Sequence, residues 1–172
     1  MKLDIGCGTR KQEGHIGVDI IDFPGVDVVM NAGQEHWPWE NGSVEEIWCS
    51  HFVEHLTAKE RIHFVNEAYR VLKDGGKVTI VVPCWSSNRA YGDLTHQWPP
   101  VSEMWFFYLN KDWRKDNAPH NNFYECDFDA TWAYGMHQSL LNRNQETQQM
   151  WLTFFKEAAQ DIVGTLIKKP KS

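Results

Sequence analysis

The sequence predicts an α/β fold, a layered and mostly parallel sheet with helices between its strands. Three observations carry this reading. Short β-branched runs recur early, at Lys2–Ile5, His15–Ile20 (HIGVDI), Val26–Met30 (VDVVM) and Glu46–Ser50 (EIWCS), bounded by Gly, Pro and Asn. A capping box, Thr57-Ala58-Lys59-Glu60, then opens a stripe of Ile62, Val65, Ala68, Tyr69 and Leu72 at helical spacing, which Asp74-Gly75-Gly76 stops. Lys77–Pro83 (KVTIVVP) follows, an almost wholly apolar run of the kind buried on both faces of a parallel sheet, and so belongs centrally.

Beyond Pro83 the rhythm changes. Cys84 to Asn122 is rich in Trp, Pro, Asn and Asp with little periodicity, and reads as an elaborated loop with short helical pieces. Phe123–Phe128 alternates loosely and is expected to return to the sheet as a strand. Met150, Trp151, Phe154, Phe155, Ala158 and Ala159 form a helical stripe, and Ile162–Ile167 makes a final strand before a basic tail. The whole chain, 1–172, reads as one domain, with 84–122 as an aromatic-rich substrate or cap insert.

Composition narrows the function. A net charge of −6 over 172 residues disfavours a broad basic surface gripping phosphates without sequence preference. The two basic stretches, Lys111–Lys115 and Lys168–Lys171, read as solvated surface. Apolar runs are far shorter than the roughly 20 residues of a membrane span, and no signal-peptide profile is visible, so a cytoplasmic protein is expected. Cys7, Cys49, Cys84 and Cys126 lie far apart without a C-x-x-C pair, which points to reduced thiols and no zinc ribbon. Nine tryptophans stand among the aromatics, and the densest aromatic stretch is the insert. Most of these rings must build its core, with Trp85 and Tyr91 the expected pocket lining.

In a sheet of this kind a ligand sits at the carboxyl ends of the strands, and LDIGCGTR (Leu3–Arg10) puts a glycine bend there. A dinucleotide site would want a third glycine where Lys11 stands and a more distant acid than Asp19, so nicotinamide is disfavoured. LDIGCGTR, GVDI, WPWENGSVEEIWCSHFVEHL and YRVLKDGGKVTIVVP, in this order and spacing from Leu3 to Pro83, resemble the Rossmann-like (class I) S-adenosylmethionine-dependent methyltransferases, in particular small stand-alone forms common in bacteriophage genomes. The resemblance implies a three-layer Rossmann-like sheet with antiparallel last strands. It also implies S-adenosylmethionine as cofactor, S-adenosylhomocysteine as product, and host cytoplasm as location if the chain is phage-encoded.

By that resemblance Asp4 and the backbone of Gly6, Cys7 and Gly8 lie against the methionine part of the cofactor. Asp19, followed by Ile20, accepts from both ribose hydroxyls, which suits an acceptor-only carboxylate. Asn31, followed by Ala32, stands where an aspartate often meets the adenine amino group, and its amide oxygen can accept that bond. Ser50 and His51 face the sulfonium and the acceptor. Two departures stand out: the segment between Gly8 and His15 is too short for a crossover helix, and the chain begins just before the glycine motif. One sheet face is therefore expected to lack cover, to be supplied by the aromatic insert or by a second copy in a homo-oligomer.

For chemistry, Asp93-Leu94-Thr95-His96 resembles a D-x-T-H segment of the small relatives, and His96 oriented by Asp93 is the expected general base, with His51 second. Pro83-Cys84 resembles the nucleophile of pyrimidine carbon-5 methyltransferases, against the plainer reading of a small buried thiol. His51-Phe52-Val53-Glu54-His55 also spells H-x-x-E-H, the inverted zinc-peptidase pattern, which requires one continuous helix. Methyl transfer is the favoured reading, no metal being required. A cofactor-binding module without turnover, and a zinc hydrolase built on His51, Glu54 and His55, are the alternatives. The acceptor, a small metabolite, a nucleotide or a modified base, is not written in the sequence; neither strong non-specific nucleic-acid binding nor membrane association is expected.

Overall fold

The computed structural model describes residues 1–170. Its strands are β1 (Lys2–Ile5), β2 (Ile16–Asp19), β3 (Val28–Val29), β4 (Val44–Ser50), β5 (Leu72–Pro83), β6 (Phe128–Met136) and β7 (Ala159–Lys168). They form one seven-stranded sheet in the order β3-β2-β1-β4-β5-β7-β6. The first five strands run parallel, while β7 pairs antiparallel with both β5 and β6. This is the expected Rossmann-like α/β sheet with an antiparallel edge. β1 lies between β2 and β4, so the chain reverses its direction of travel across the sheet there, and a crevice opens at the strand ends.

One long crossover helix, α1 (Ala58–Val71), joins β4 to β5. Thr57 caps it as the sequence predicts: its side chain accepts from the Glu60 backbone N–H, and the Glu60 carboxylate accepts from Thr57 N at 2.8 Å. α1 ends at Val71, and Asp74-Gly75-Gly76 falls inside the irregular first half of β5, where Gly75 takes φ +75°. No helix separates β1 from β2 or β2 from β3. The deleted crossover inferred from spacing is therefore present in the structure as a loop over 6–15.

The insert carries three short helices, α2 (Arg89–Gly92), α3 (Glu103–Phe107) and α4 (Lys111–Asn117). Arg114 organises it from inside, donating to the carbonyls of Tyr108 (2.7 Å), Tyr124 (3.3 Å) and Cys126 (2.7 Å). Phe123–Phe128 is not the returning strand. Residues up to Asp127 cross over α1, with Asn66 accepting from Glu125 N and Cys126 N, and pairing begins only at Phe128. The late helix, α5 (Gln145–Phe154), stops before Phe155, and none of its residues is buried. Lys168 is not solvated surface: it is 5% exposed, donates to the Leu72 carbonyl and lies 4.8 Å from the Tyr69 ring centroid. Lys171, the end of that basic stretch, lies outside the described residues. No helix among the described residues is long and apolar enough to cross a membrane.

The core lies on one side of the sheet. Leu3, Ile5, Ile47, Val78, Ile80 and Leu166 share a cluster with Phe64, Val65 and Ala68 of α1 and Phe106 of α3. The insert covers this same side. A Cβ on Gly164 of β7 would collide with the Phe106 ring, so the glycine is what lets α3 settle on the strand. The opposite side carries registered rows, Asp4–Trp48–Thr79–Thr165–Thr131 and Lys2–Glu46–Lys77, in which Asp4 and Thr79 are buried, Trp48 and Thr165 only half-buried and Thr131 exposed.

Candidate active site

The site begins with the bend after β1. Gly6 and Gly8 adopt φ +73° and +50°, the left-handed region that glycine enters without strain. Gly6 N (2.8 Å) and Cys7 N (3.2 Å) both donate to Val18 O, pinning the bend to β2. A Cβ on Gly6 would lie 2.6 Å from the Phe52 ring, whereas one on Gly8 would meet nothing within 4 Å. Gly6 is thus demanded by packing, and Gly8 faces open space where a ligand can approach backbone.

Two carboxylates flank the bend. Asp4, 3% exposed, accepts from Gln12 N at 2.7 Å, and burial pushes its carboxyl above the ordinary range. Asp19 ends β2 and accepts from Gly8 N (2.9 Å) through Oδ2 and from Ile21 N (3.0 Å) through Oδ1. Each oxygen has a second lone pair, so Asp19 caps the bend and keeps acceptor capacity on both oxygens. Asn31 uses Oδ1 to accept from Gly33 N at 3.1 Å, which holds the turn after β3 and leaves one lone pair of that oxygen.

On the other side of β1, Ser50 ends β4 and His51 turns away with φ +54°, uncommon for a side-chain-bearing residue and costing on the order of 1 kcal/mol. Its backbone N donates to Val81 O at 2.8 Å, and its Nδ1 lies 3.1 Å from Glu54 Oε1. A carboxylate only accepts, so Nδ1 carries the proton and the Nε2 lone pair is free. That hydrogen bond raises the imidazole above its ordinary range.

Two cavities meet at Gly6 and His51. One, of about 400 Å³, is lined by Asp4, Gly6–Arg10, Gln12, Trp48, Ser50 and His51. The other, of about 570 Å³, is lined among others by Asp19, Ile20, Asn31, Ala32, His51, His55 and Thr95. Asp4, Gly6, Cys7, Gly8, Asp19, Ile20, Asn31, Ala32, Ser50 and His51, scattered over the first three-tenths of the chain, therefore line two adjoining cavities that share Gly6 and His51.

The insert reaches this cleft through its 93–97 loop. Gln97 N donates to Glu54 O (2.7 Å), while Arg61, 6% exposed, donates to Val53 O (3.1 Å), Pro99 O (2.6 Å) and Gln97 O (3.1 Å). The loop is thereby clamped to the 3-10 turn Val53–His55. Asp93 does not orient His96: its Oδ1 accepts from Thr95 N (2.8 Å) and Oγ1 (2.7 Å), and Thr95 Oγ1 in turn meets His55 Nδ1 at 2.9 Å. His96 Nδ1 instead faces Ala90 O at 3.2 Å. His51, not His96, lines both cavities.

Other expectations change as well. Trp85 and Tyr91 line a separate apolar cavity of about 350 Å³ with Leu152, Phe154 and Phe155. Cys84 is 1% exposed, lies 3.3 Å from Ser86 Oγ, and burial raises its thiol, which opposes nucleophile chemistry. The H-x-x-E-H pattern fails as a zinc-peptidase helix, because His51 belongs to a strand end and only Val53–His55 forms a single 3-10 turn. Glu54, His55 and Thr95 are the contributors that sequence reasoning left out of the methyltransferase site; the His51–His55 pattern held the signal for the first two and the Asp93–His96 segment for the third.

Residues 3–80 match the methyltransferase domain family. A SAM-dependent methyltransferase from Archaeoglobus fulgidus is similar in structure, with TM-score 0.68 and 21% identity over 97% of this chain and 85% of its own. One from Methanosarcina mazei follows, with TM-score 0.62 and 17% identity over 99% of this chain and 92% of its own. The [4+2]-cyclase SpnF is also similar, with TM-score 0.57 and 14% identity over 99% of this chain and 74% of its own. No curated protein matches the chain. The resemblance to class I methyltransferases seen in the sequence is borne out in domain and fold, and the two archaeal structures are SAM-dependent by name.

Proposed function

We propose that the chain transfers the methyl group of S-adenosylmethionine to a nucleophilic atom of an acceptor held beside His51. A cyclase on the same fold shows that architecture alone does not select a reaction, so the reading rests on the site. The observation that carries it is the site itself: an open glycine bend, a carboxylate with spare acceptor capacity at the end of β2, and an imidazole at the end of β4, around two cavities that share Gly6 and His51.

The residues fit the cofactor. Gly6–Gly8 leaves room for the methionine part, Asp19 accepts from the ribose hydroxyls, and Asn31 with Ala32 and Met30 borders the adenine end. When bound, the cofactor supplies an electrophilic methyl on sulfonium, a leaving group that departs as a neutral thioether. Asp4, held by Gln12 N, borders the cavity that takes the cationic end. His51, with its Nδ1 held by Glu54, keeps an Nε2 lone pair that would take the proton of an acceptor bound beside it. Glu54 fixes the tautomer that makes this possible. An imidazole so oriented at the cleft favours turnover over a binding module without activity.

The test is ligand binding. S-adenosylhomocysteine should raise the melting temperature of the wild-type chain at saturation, and Asp19→Ala should abolish the shift. An unchanged shift in Asp19→Ala would remove the ribose assignment. Separately, NMR titration should place the His51 imidazole above its unperturbed value near 6.5, with Glu54→Gln lowering it because the acceptor carboxylate is gone. A His51 midpoint that does not move in Glu54→Gln contradicts the pairing.

A further inference from the structure

The site described above uses only one oxygen of Glu54. Its carboxylate is 4% exposed, Oε1 accepts from His51 Nδ1, and Oε2 is buried with no hydrogen-bond partner among the described residues. An unpartnered buried carboxylate oxygen is costly unless something cationic or donating meets it. What lies nearest in kind is a pair of imidazoles: Glu54, His55 and His96 each offer a ligand atom, and these atoms all lie within 4.8 Å of one another.

The outer partners prepare each imidazole for the same task. Thr95 Oγ1 gives its own proton to Asp93 Oδ1, so toward His55 Nδ1 it can only accept. His55 therefore carries its proton on Nδ1 and presents a lone pair on Nε2. Ala90 O is likewise acceptor-only, which fixes the proton of His96 on Nδ1 and frees its Nε2. The rings meet edge to face with centroids 4.8 Å apart. This is the outer-shell pattern of metal-binding histidines, in which the second ring nitrogen is anchored to a carboxylate relay or a carbonyl. The D-x-T-H segment thus gains a role that the cofactor chemistry did not give it.

We infer that Glu54, His55 and His96 form a binding site for a first-row divalent transition ion, placed beside the cleft next to His51. Two imidazole nitrogens and one carboxylate oxygen suit Zn²⁺, Co²⁺ or Fe²⁺ and do not suit Mg²⁺ or Ca²⁺, which take oxygen ligands. Three protein ligands leave a coordination position open. His55 and Thr95 line the same cavity as Asp19 and His51, so the cluster borders the cleft on the His51 side. The ligand class that follows, resting on the methyltransferase reading, is an acceptor with an oxygen donor that coordinates the ion. The ion acts there as a Lewis acid, lowering the donor's pKa, while His51 receives its proton.

Chelator-treated protein titrated calorimetrically with ZnCl2 should bind one ion per chain, and Co²⁺ should give a visible d–d spectrum from a nitrogen and oxygen ligand set. His96→Ala should abolish both, and Thr95→Val, which touches only the outer partner, should weaken Zn²⁺ binding about 10- to 100-fold. S-adenosylhomocysteine binding should survive in both variants, which verifies folding and keeps the cofactor assignment separate. If His96→Ala does not fold, His96→Gln and Thr95→Val carry the test. The proposal is overturned if the wild-type chain binds no Zn²⁺ stoichiometrically, or if these variants bind it as the wild type does. Loss of S-adenosylhomocysteine binding in wild type with retained Zn²⁺ would overturn only the methyltransferase reading.

Discussion

The two faces of the sheet obey different rules although the same strands make both. On the face toward α1, Leu3, Ile5, Ile47, Val78, Ile80 and Leu166 are all at most 1% exposed and join one core. On the other, Trp48, Val81, Val163 and Thr165 are half-buried, Ile167 is 38% exposed, and none of them belongs to that core. Parallel strands are normally covered on both faces by their crossover helices. Here β1 to β2 and β2 to β3 are joined by loops, so the layer those helices would supply is missing among the described residues. The alternation of buried and half-buried positions along β4 and β7 is the consequence, a pattern more typical of one-sided antiparallel sheets. Cover is thus a property of the connections and not of the strands.

The largest expected contrast lies in core deletion. Phe106→Ala on the covered face should cost about 3–5 kcal/mol in urea unfolding, because a fully buried ring leaves a cavity. Trp48→Ala on the open face should cost about 1 kcal/mol, the typical loss for a half-exposed position. The contrast holds at protein concentrations where the chain is a monomer, and losses that become equal only as concentration rises would mean that a second copy covers Trp48. A Gly164→Ala change should cost about 1–3 kcal/mol through collision with Phe106, since that side has no room to yield.

The open face leads to a further expectation. We propose that a second copy of the chain covers it, because the aromatic insert packs on the opposite side. Sedimentation velocity should find a dimer, and Thr165→Glu, in the middle of the open face, should give a folded monomer. A wild-type chain that sediments as a monomer at micromolar concentration removes this expectation and leaves the face to solvent.

The smallest effect concerns the ionic border of the open face. Lys2 Nζ (2.7 Å) and Lys77 Nζ (3.0 Å) hold the Glu46 carboxylate down to about 2 from 4.5. A depressed carboxylate contributes stability that is present above its unfolded value and lost as pH falls toward 2. Glu46→Gln should therefore flatten the stability profile between about pH 4.5 and pH 2 by a small and salt-sensitive amount, as solvent screens this pair. An identical acid profile in the variant would show that the pair contributes nothing.

Much of the candidate site's geometry was legible because it is local. The glycine bend, Asp19 and Ser50-His51 each sit at a strand end, and β-branched runs mark strand ends well. The capping box at Thr57 and Glu60 is likewise a contact three residues long. What escaped was set by distance in the chain: the loop holding His96 is fastened by Arg61 and by Glu54 O, and no periodicity announces such clamps. Asp93 and His96 invited pairing by proximity, yet Thr95 takes the carboxylate and passes its influence to His55. The strand at Phe128–Met136 was missed because its register is dictated by β7, whose glycine at 164 accommodates a ring from the insert.

The most direct measurement is calorimetric titration of S-adenosylhomocysteine into the wild-type chain and into Asp19→Ala. The account predicts saturable one-to-one binding to the first and none to the second, with both proteins showing the same far-UV circular dichroism. Absence of binding to folded wild-type protein, or equal binding to both, contradicts it.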